Sequence, residues 1–271
     1  NNMPVVSVLK KDLFASLGLD EKTYTNEDFD HLCFQFGIEL DDVTSERKEW
    51  LKQNKVLRKD LPDDTIFKIE VPANRYDLLC LEGLSRALQC YREVSGYPIN
   101  KVVTPAKPLE IKVDKSVADI RPFVVCGVLR NIEFTPLSYK NFIELQDKLH
   151  QNVCRERTLV SVGTHDLDTV QPPFLYTARK PADIKFVALK RTKALTAVEL
   201  FADIDENDPF LKKYLGIIRD LPLYPVVEDS NGVVMSLPPI INGRHSQITL
   251  ETKNVFIEVT ATDKTKAGIV L

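Results

Sequence analysis

Apolar and polar residues alternate with a changing period along the first hundred residues, so short strands and helices are predicted to follow one another. Alternation with period two in IFKIEV (66–71) is typical of a strand, whereas EDFDHLCFQF (27–36) has the spacing of a helix. Thr25 and Asp28 have the spacing of a capping box at the start of that helix. The elements predicted here are a strand at 3–10, helices at 10–18 and 25–37, a strand at 66–71 and a helix at 78–94.

Residues 44–64 interrupt this pattern with a highly charged stretch in which Trp50 is the only aromatic residue. We expect an exposed helix and loop there, as an insertion outside the core. The proline-bearing segment KVVTPAKP (101–108) has no periodicity and is the predicted domain boundary. The predicted organisation is a module at 3–100, a linker at 101–107 and a second domain at 108–271.

From Leu109 onward the pattern is dominated by strands. Strands are predicted in LEIKV, PFVVCGVLRNIEF, RTLVSVG, PVVED, GVVMSL, SQITLE, NVFIEVTAT and AGIVL, and helices over YKNFIELQDKLHQNV and after Thr196 and Asn207. Residues 229–232 (DSNG) and Asn242-Gly243 are predicted hairpin turns, because Asn-Gly tolerates positive φ. The chain is therefore predicted to be α+β: a small mixed α/β amino-terminal module, then a larger mixed, largely antiparallel β-sheet domain flanked by helices.

Composition narrows the class of protein. The chain has 271 residues, 44% hydrophobic and 28% charged, the balance of a globular protein, and no apolar run approaches the roughly 18 residues of a membrane span. The five cysteines stand singly, which predicts buried thiols in a reducing compartment. A net charge of −3 argues against a broad basic face for nucleic acid. We interpret Asn1 and Asn2 as preceding the natural start at Met3, and we expect the native chain to continue past Leu271.

GTHDLD (163–168) follows a predicted strand and brings a histidine and two carboxylates into a short segment. Such a cluster at a sheet edge would orient a substrate or a water molecule. Alternatively, Asp166 and Asp168 make turn hydrogen bonds while His165 packs, and spacing alone favours this interpretation. A metal-dependent hydrolase built on these three residues is a further hypothesis, with no second ligand motif to support it.

Two later segments offer polar groups beside predicted strands. In NVFIEVTAT, alternation places Phe256, Glu258 and Thr260 on one face. Glu258 would accept a hydrogen bond from a ligand in a covered pocket, but the sequence alone favours an exposed surface residue. In GVVMSLPPIING, Ser236 ends a strand and two prolines stiffen the loop, as a rigid pocket wall or as the terminator of an edge strand. The sequence has no glycine-rich phosphate loop, paired-cysteine zinc spacing, or metalloprotease, serine-hydrolase or kinase signature.

Many segments in one order carry a resemblance to a known family. They are VSVLKKDLF, FDHLCFQFGIELD, VPANRYDLLCLEGLSRAL, IRPFVVCGVLRNI, FIELQDKLHQNVCR, GTHDLDT, PPIINGRHSQIT and FIEVTATDKTKA. Together they resemble the amino-terminal part of the beta subunit of eukaryotic cytosolic phenylalanyl-tRNA synthetases. The similarity runs nearly end to end and weakens at 44–64 and 194–213.

The resemblance implies a small module followed by an editing module, which hydrolyses tyrosine wrongly esterified to the phenylalanine tRNA. The partners it implies are the acceptor end of that tRNA and the synthetase alpha subunit, in a cytoplasmic heterotetramer. Amino-acid activation would lie in the alpha subunit. The resemblance implies no cofactor for this fragment, whereas the full synthetase would use ATP and Mg²⁺. The acidic net charge leads us to expect weak tRNA binding by the fragment alone.

Site residues are also implied by the resemblance. They are His165 and Thr260 as catalytic residues, and Glu258, Ser236, Val227 and Asn242 as substrate-binding residues. Glu258 would accept the phenol proton of tyrosine, and Val227 would contact the ring. His165 and Thr260 would orient water or the terminal ribose. The alternative function is a non-catalytic structural or tRNA-docking fragment of the beta subunit.

Overall fold

The computed structural model describes residues 3–99 and 101–271. The chain divides into two compact units, Asn1–Val102 and Val103–Leu271. Asn1 and Asn2, which we interpreted as preceding the natural start, lie outside the described residues, as does Asn100 at the end of the predicted module. The predicted fold class is confirmed: both units mix helices with largely antiparallel sheets.

The first unit is a small antiparallel sheet covered by helices. Its elements are β1 (Val5–Leu9), α1 (Lys10–Leu17), α2 (Asn26–Phe36), β2 (Glu39–Thr44), α3 (Glu46–Asn54), β3 (Ile66–Glu70) and α4 (Leu81–Tyr91). The strand order is β1-β3-β2. Strand β2 was not predicted, because its acidic residues hide the apolar alternation. Phe14, Phe29 and Phe67 pack ring against ring in the core, with centroids 5.0–5.8 Å apart.

The predicted boundaries of α1 and α2 are confirmed at their caps, whereas α4 (Leu81–Tyr91) is shorter than the helix predicted at 78–94. Thr25 and Asp28 form the capping box of α2. Gly18 and Gly37 end α1 and α2 in the left-handed region, with φ of 65° and 90°. Within the charged insertion, α3 has no buried residue, as expected for an exposed helix.

The second unit contains the remaining sheets and helices. Its elements are β4 (Ile111–Val113), β5 (Phe123–Leu129), α5 (Pro136–Gln151), β6 (Val160–Asp166), β7 (Phe174–Arg179), β8 (Lys185–Phe186), β9 (Leu195–Thr196), α6 (Ala197–Asn207), α7 (Pro209–Leu215), β10 (Tyr224–Glu228), β11 (Val234–Leu237), β12 (Ile241–Asn242), β13 (Val255–Ala261) and α8 (Lys264–Val270). The sheets have strand orders β12-β11-β10-β7-β4, β5-β13-β6 and β8-β9.

Two predicted strands of this unit are wrong. AGIVL lies in α8, where the Asp263 side chain caps the helix by accepting from the Lys266 N–H; a short apolar run fits either element. SQITLE (246–251) is irregular, because Thr252 Oγ1 accepts from Thr249 N and Thr249 Oγ1 accepts from Glu251 N. These local side-chain bonds replace a strand ladder.

The two predicted hairpin turns have different outcomes. The turn at residues 229–232 is confirmed, since Gly232 has φ of 74° and its N–H donates to Asp229 O at 3.0 Å. The turn at Asn242-Gly243 is wrong: Asn242 lies in β12, and Gly243 bridges to Ala188. A Cβ at Gly243 would lie 2.7 Å from the Val234 carbonyl oxygen, so this glycine permits close backbone approach.

The cysteines are free thiols: Cys33 and Cys154 are buried, and Cys80, Cys90 and Cys126 are half-buried. Burial raises the pKa of the Cys154 thiol to about 12. That thiol is therefore protonated at neutral pH and is a poor nucleophile.

Candidate active site

The sheet β5-β13-β6 aligns the predicted polar residues on one face. In the centre of the sheet, Glu258 lies opposite Gly163 of β6 and Cys126 of β5. Its neighbours on the same face, Phe256 and Thr260, lie opposite His165 and Ser161. The alternation predicted for NVFIEVTAT is therefore present. GTHDLD was expected to follow the strand as a loop, but β6 continues through Asp166 because it remains paired with β13.

A cavity of about 440 Å³ opens along the outer edge of β6. Helix α5 forms one wall, and the loop between β11 and β12, with its two prolines, forms another. The polar and charged side chains around it include Gln146, Asp147, His150, Arg157, Ser161, Thr164, Asn242 and Glu258. The predicted interpretation of PPIING as a pocket wall therefore fits the fold. The volume is within the range of small-molecule sites.

Glu258 is buried, with only 2% of its surface exposed, so the exposed-surface interpretation is wrong. The Ser236 hydroxyl donates to Glu258 Oε1. Among the described residues, no hydrogen-bond donor reaches Oε2. A buried carboxylate oxygen without a donor is costly unless a ligand supplies one.

Gly163 makes room for this carboxylate. A Cβ at position 163 would lie 2.5 Å from Glu258 Oε1 and 2.9 Å from its Cγ. The Glu258 side chain therefore lies directly over Gly163 and extends toward the edge of β6. Sequence analysis did not single out this glycine, because its role depends on a strand distant in sequence.

His165 is fully buried beside Glu258. Its Nδ1 lies 2.8 Å from Ser246 Oγ, and its Nε2 lies 3.6 Å from Glu258 Oε1. Nε2 has no hydrogen-bond partner among the described residues. His165 does not itself line the cavity, but its Nε2 faces Glu258, which does.

The remaining predicted site residues divide between the cavity and the core. Asn242 lines the cavity, and its Nδ2 donates to the Thr164 carbonyl at 3.3 Å. Val227 lies opposite Ser236 in the sheet, but its side chain is packed in the apolar core away from the cavity lining. Thr260 is also absent from the lining, and its hydroxyl contacts Arg121 and Ser161.

Asp166 and Asp168 do not converge with His165. Asp166 accepts from the Thr252 hydroxyl and Asp168 accepts from the Asn254 amide, so both make structural hydrogen bonds. Across residues 3–99 and 101–271, no group of three or more His, Cys, Asp or Glu side chains is arranged to hold a metal ion. The donor set proposed for a metal-dependent hydrolase is therefore not assembled.

His150 and Arg121 are buried residues near the site that sequence analysis missed. His150 Nε2 accepts from the Val162 N–H at 2.9 Å, which fixes its proton on Nδ1. Burial, reinforced by Arg157 and Arg121, lowers the pKa of His150 to about 3. Burial likewise lowers the pKa of Arg121 to about 10. No sequence pattern distinguishes a histidine such as His150, on one face of a predicted helix, as a buried neutral acceptor.

We expect His150→Gln to make stability less sensitive to acid. In the unfolded chain His150 is protonated below its ordinary pKa of 6.5, whereas in the folded chain it is protonated only below about pH 3. Stability therefore falls as pH drops through this window, by up to about 1.4 kcal/mol per pH unit. Glutamine retains an acceptor for Val162 N–H but does not titrate. Urea unfolding at pH 4.5 and 7.5 measures the difference, and equal pH dependence in both proteins would contradict the assignment.

Comparison with known proteins identifies the family of this chain. Residues 3–94 match the model of the Phe-tRNA synthetase beta subunit B1 domain, and residues 122–268 match the B3/4 domain. A crystal structure of an N-terminal fragment of the phenylalanyl-tRNA synthetase beta subunit from Pyrococcus horikoshii has a similar fold, with a TM-score of 0.82 and 30% identity, covering 99% of this chain and 71% of that chain. The chain belongs to the phenylalanine-tRNA ligase beta subunit family.

Curated members of this beta subunit family are similar over nearly the whole chain. The human phenylalanine-tRNA ligase beta subunit is 56% identical over 271 residues, and that of Dictyostelium discoideum is 55% identical over 272. The Arabidopsis thaliana subunit, named cytoplasmic, is 54% identical. Each comparison covers 99% of this chain, whereas the chain spans 44% to 45% of these relatives. It thus corresponds to the amino-terminal part of a ligase beta subunit.

Proposed function

We propose that the second unit is an editing module that hydrolyses tyrosine wrongly esterified to the phenylalanine tRNA. The buried carboxylate of Glu258, which lines the cavity and retains an oxygen without a donor, carries the proposal. The match to the B3/4 domain and the resemblance in sequence support it.

The physical need for such a site lies in the chemistry of phenylalanine selection. An apolar site that binds phenylalanine rejects an analogue carrying an added hydroxyl by only about a hundredfold. A second site with a dedicated acceptor selects in the opposite direction. Tyrosine would donate its phenol proton to Glu258, whereas phenylalanine would leave the buried carboxylate without a donor. Sites that bind a hydroxyl in this way reject the analogue lacking it by roughly 10⁴ to 10⁵.

The hydrolysis itself requires positioning more than activation. Water attacks the ester carbonyl carbon, the bond to the ribose oxygen breaks, and that oxygen takes a proton to leave free tyrosine and a tRNA with its terminal hydroxyl. Holding the ester and water together supplies much of the acceleration. In this proposal His165 lies deep beside Glu258, Asn242 forms part of the wall, and Val227 supports the site from the core beneath it.

The partners follow from the family of the chain. We infer that the full beta subunit assembles with an alpha subunit in the cytoplasm, that the alpha subunit activates phenylalanine with ATP and Mg²⁺, and that the editing module needs no cofactor. The tRNA would be held mainly by other parts of the assembly, because this chain has a net charge of −3. In the described part of the chain, no helix has the length and apolarity to cross a membrane.

Deacylation of mischarged Tyr-tRNA by the chain tests the proposal. We expect hydrolysis of Tyr-tRNA well above the spontaneous rate, slow hydrolysis of Phe-tRNA, and no effect of a chelator. If neither ester is hydrolysed, either by the chain or with the alpha subunit added, the chain is the structural or tRNA-docking fragment of the alternative hypothesis. Loss of activity on chelation would favour the metal-dependent hydrolase.

A further inference from the structure

Arg121 is a buried cation directly behind the candidate site. Only 2% of its surface is exposed, and no carboxylate among the described residues forms an ion pair with it. Its guanidinium donates instead to the Thr260 hydroxyl at 3.0 Å and to the backbone carbonyls of Thr158, Arg157 and Thr260 at 3.0–3.2 Å. Burying a charge is costly, so a cation fixed entirely by neutral acceptors is expected to have a role in the site.

The hydrogen bond from Arg121 to Thr260 fixes the direction of the hydrogen bond between Thr260 and Ser161. Thr260 Oγ1 lies 3.0 Å from Arg121 Nε and 2.9 Å from Ser161 Oγ. Arginine only donates, so Thr260 accepts from it. If Ser161 also donated to Thr260, the Thr260 proton would be buried without an acceptor among the described residues, which is unfavourable. Thr260 therefore donates its proton to Ser161.

This direction leaves the Ser161 proton free. Thr260 is the only side chain in the described part of the chain that hydrogen-bonds to Ser161 Oγ, and that oxygen now acts as the acceptor. Ser161 lines the cavity, whereas Thr260 does not. The Ser161 side chain lies on the same face of β6 as Gly163. It is about 7 Å along the strand from the position of the Glu258 carboxylate. That separation is comparable to the length of a tyrosine side chain.

We propose that Ser161 donates a hydrogen bond to an oxygen of the ester group of the substrate, and that Arg121 and Thr260 are positioning residues that aim this hydroxyl. The proposal rests on the editing function. With the phenol at Glu258, the ester end of the tyrosyl group reaches Ser161. A donor fixed in advance by a buried cation stabilises the negative charge that develops on the ester oxygen as water attacks. In this arrangement Thr260 acts only through Ser161.

Ser161→Ala, Thr260→Val and the double variant test the relay, with Thr260→Ser as the conservative control. The measurements are the rate constant for hydrolysis of bound Tyr-tRNA and the calorimetric affinity for tyrosine joined by an amide to 3′-amino-adenosine, which is not hydrolysed. We expect Ser161→Ala to lower the rate about tenfold to a hundredfold. Thr260→Val should lower it by no more than that, the double variant should equal Ser161→Ala within about twofold, and Thr260→Ser should retain the wild-type rate.

Other outcomes separate this proposal from the editing function. An unchanged rate in Ser161→Ala, or losses that multiply in the double variant, overturns the relay while editing stands. If the wild-type chain binds the amide without hydrolysing Tyr-tRNA and its affinity follows the expected pattern, editing fails and the relay stands as a binding device. Absence of both hydrolysis and binding overturns both. Should Thr260→Val not fold, Ser161→Ala still tests whether the Ser161 hydroxyl donates to the substrate, and an unchanged rate in that variant overturns the proposal.

Discussion

Replacing Glu258 by alanine is expected to lower the preference of the chain for tyrosyl esters over phenylalanyl esters by about 10- to 100-fold or more. The hydrogen bond from the phenol to a buried carboxylate contributes roughly 1.5–3 kcal/mol, so kcat/KM for Tyr-tRNA should fall about 10- to 100-fold. Hydrolysis of Phe-tRNA should not fall, because phenylalanine no longer leaves the buried carboxylate without a donor. The measurement is the ratio of kcat/KM for the two esters, with and without the substitution.

Glu258→Gln is the matched control for shape. Glutamine keeps the length of the side chain and a carbonyl acceptor but loses the charge, so the ratio should fall less than in Glu258→Ala. No lysine or arginine among the described residues forms an ion pair with Glu258, and Arg121 interacts with it only at longer range, so removing the charge is expected to change the free energy of unfolding little. A ratio that remains at its wild-type value in both variants, with both proteins folded, would remove Glu258 from the recognition of tyrosine.

The elements with strong local signals were predictable from the sequence. The capping box at Thr25 and the glycine caps at Gly18 and Gly37 set helix boundaries that the structure reproduces. The weak signals failed where tertiary context decides. The apolar run AGIVL fits a strand or a helix equally well, and the structure forms the helix α8, which Asp263 caps and which packs against β13 and β5.

The candidate site was only partly predictable, for a related reason. Alternation placed Glu258 and Thr260 on one face, but it cannot say whether that face is covered. Its burial depends on β11, which brings Ser236 onto Glu258 from another sheet. Likewise, no local pattern in the sequence distinguishes Arg121 or Ser161, because their roles arise from hydrogen bonds across segments more than ninety residues apart in sequence.

Gly163→Ala is expected to disable the site although it replaces none of the residues assigned to recognition or chemistry. The added methyl carbon would lie 2.5 Å from Glu258 Oε1 and 2.9 Å from Cγ, closer than van der Waals contact allows. Since Glu258 is buried and bonded to Ser236, its side chain can move only by breaking that bond or shifting β13. Such overpacking costs about 1–3 kcal/mol of stability. The displaced carboxylate should lower kcat/KM for Tyr-tRNA about 10- to 100-fold.

Gly268 in α8 provides a control substitution, and a second substitution at Glu258 tests whether the added methyl group acts through that side chain. Gly268 has open space where its Cβ would be and lies within α8, so Gly268→Ala should leave hydrolysis unchanged and stabilise slightly. Alanine at position 258 lacks the Cγ, Cδ and Oε1 atoms that the methyl group of Ala at 163 would meet. Gly163→Ala should therefore cost less stability in the Glu258→Ala background than in the wild type, a coupling that thermal unfolding of the four proteins measures. Additive costs would show that position 163 affects the sheet by another route, and that Glu258 does not lie over this glycine.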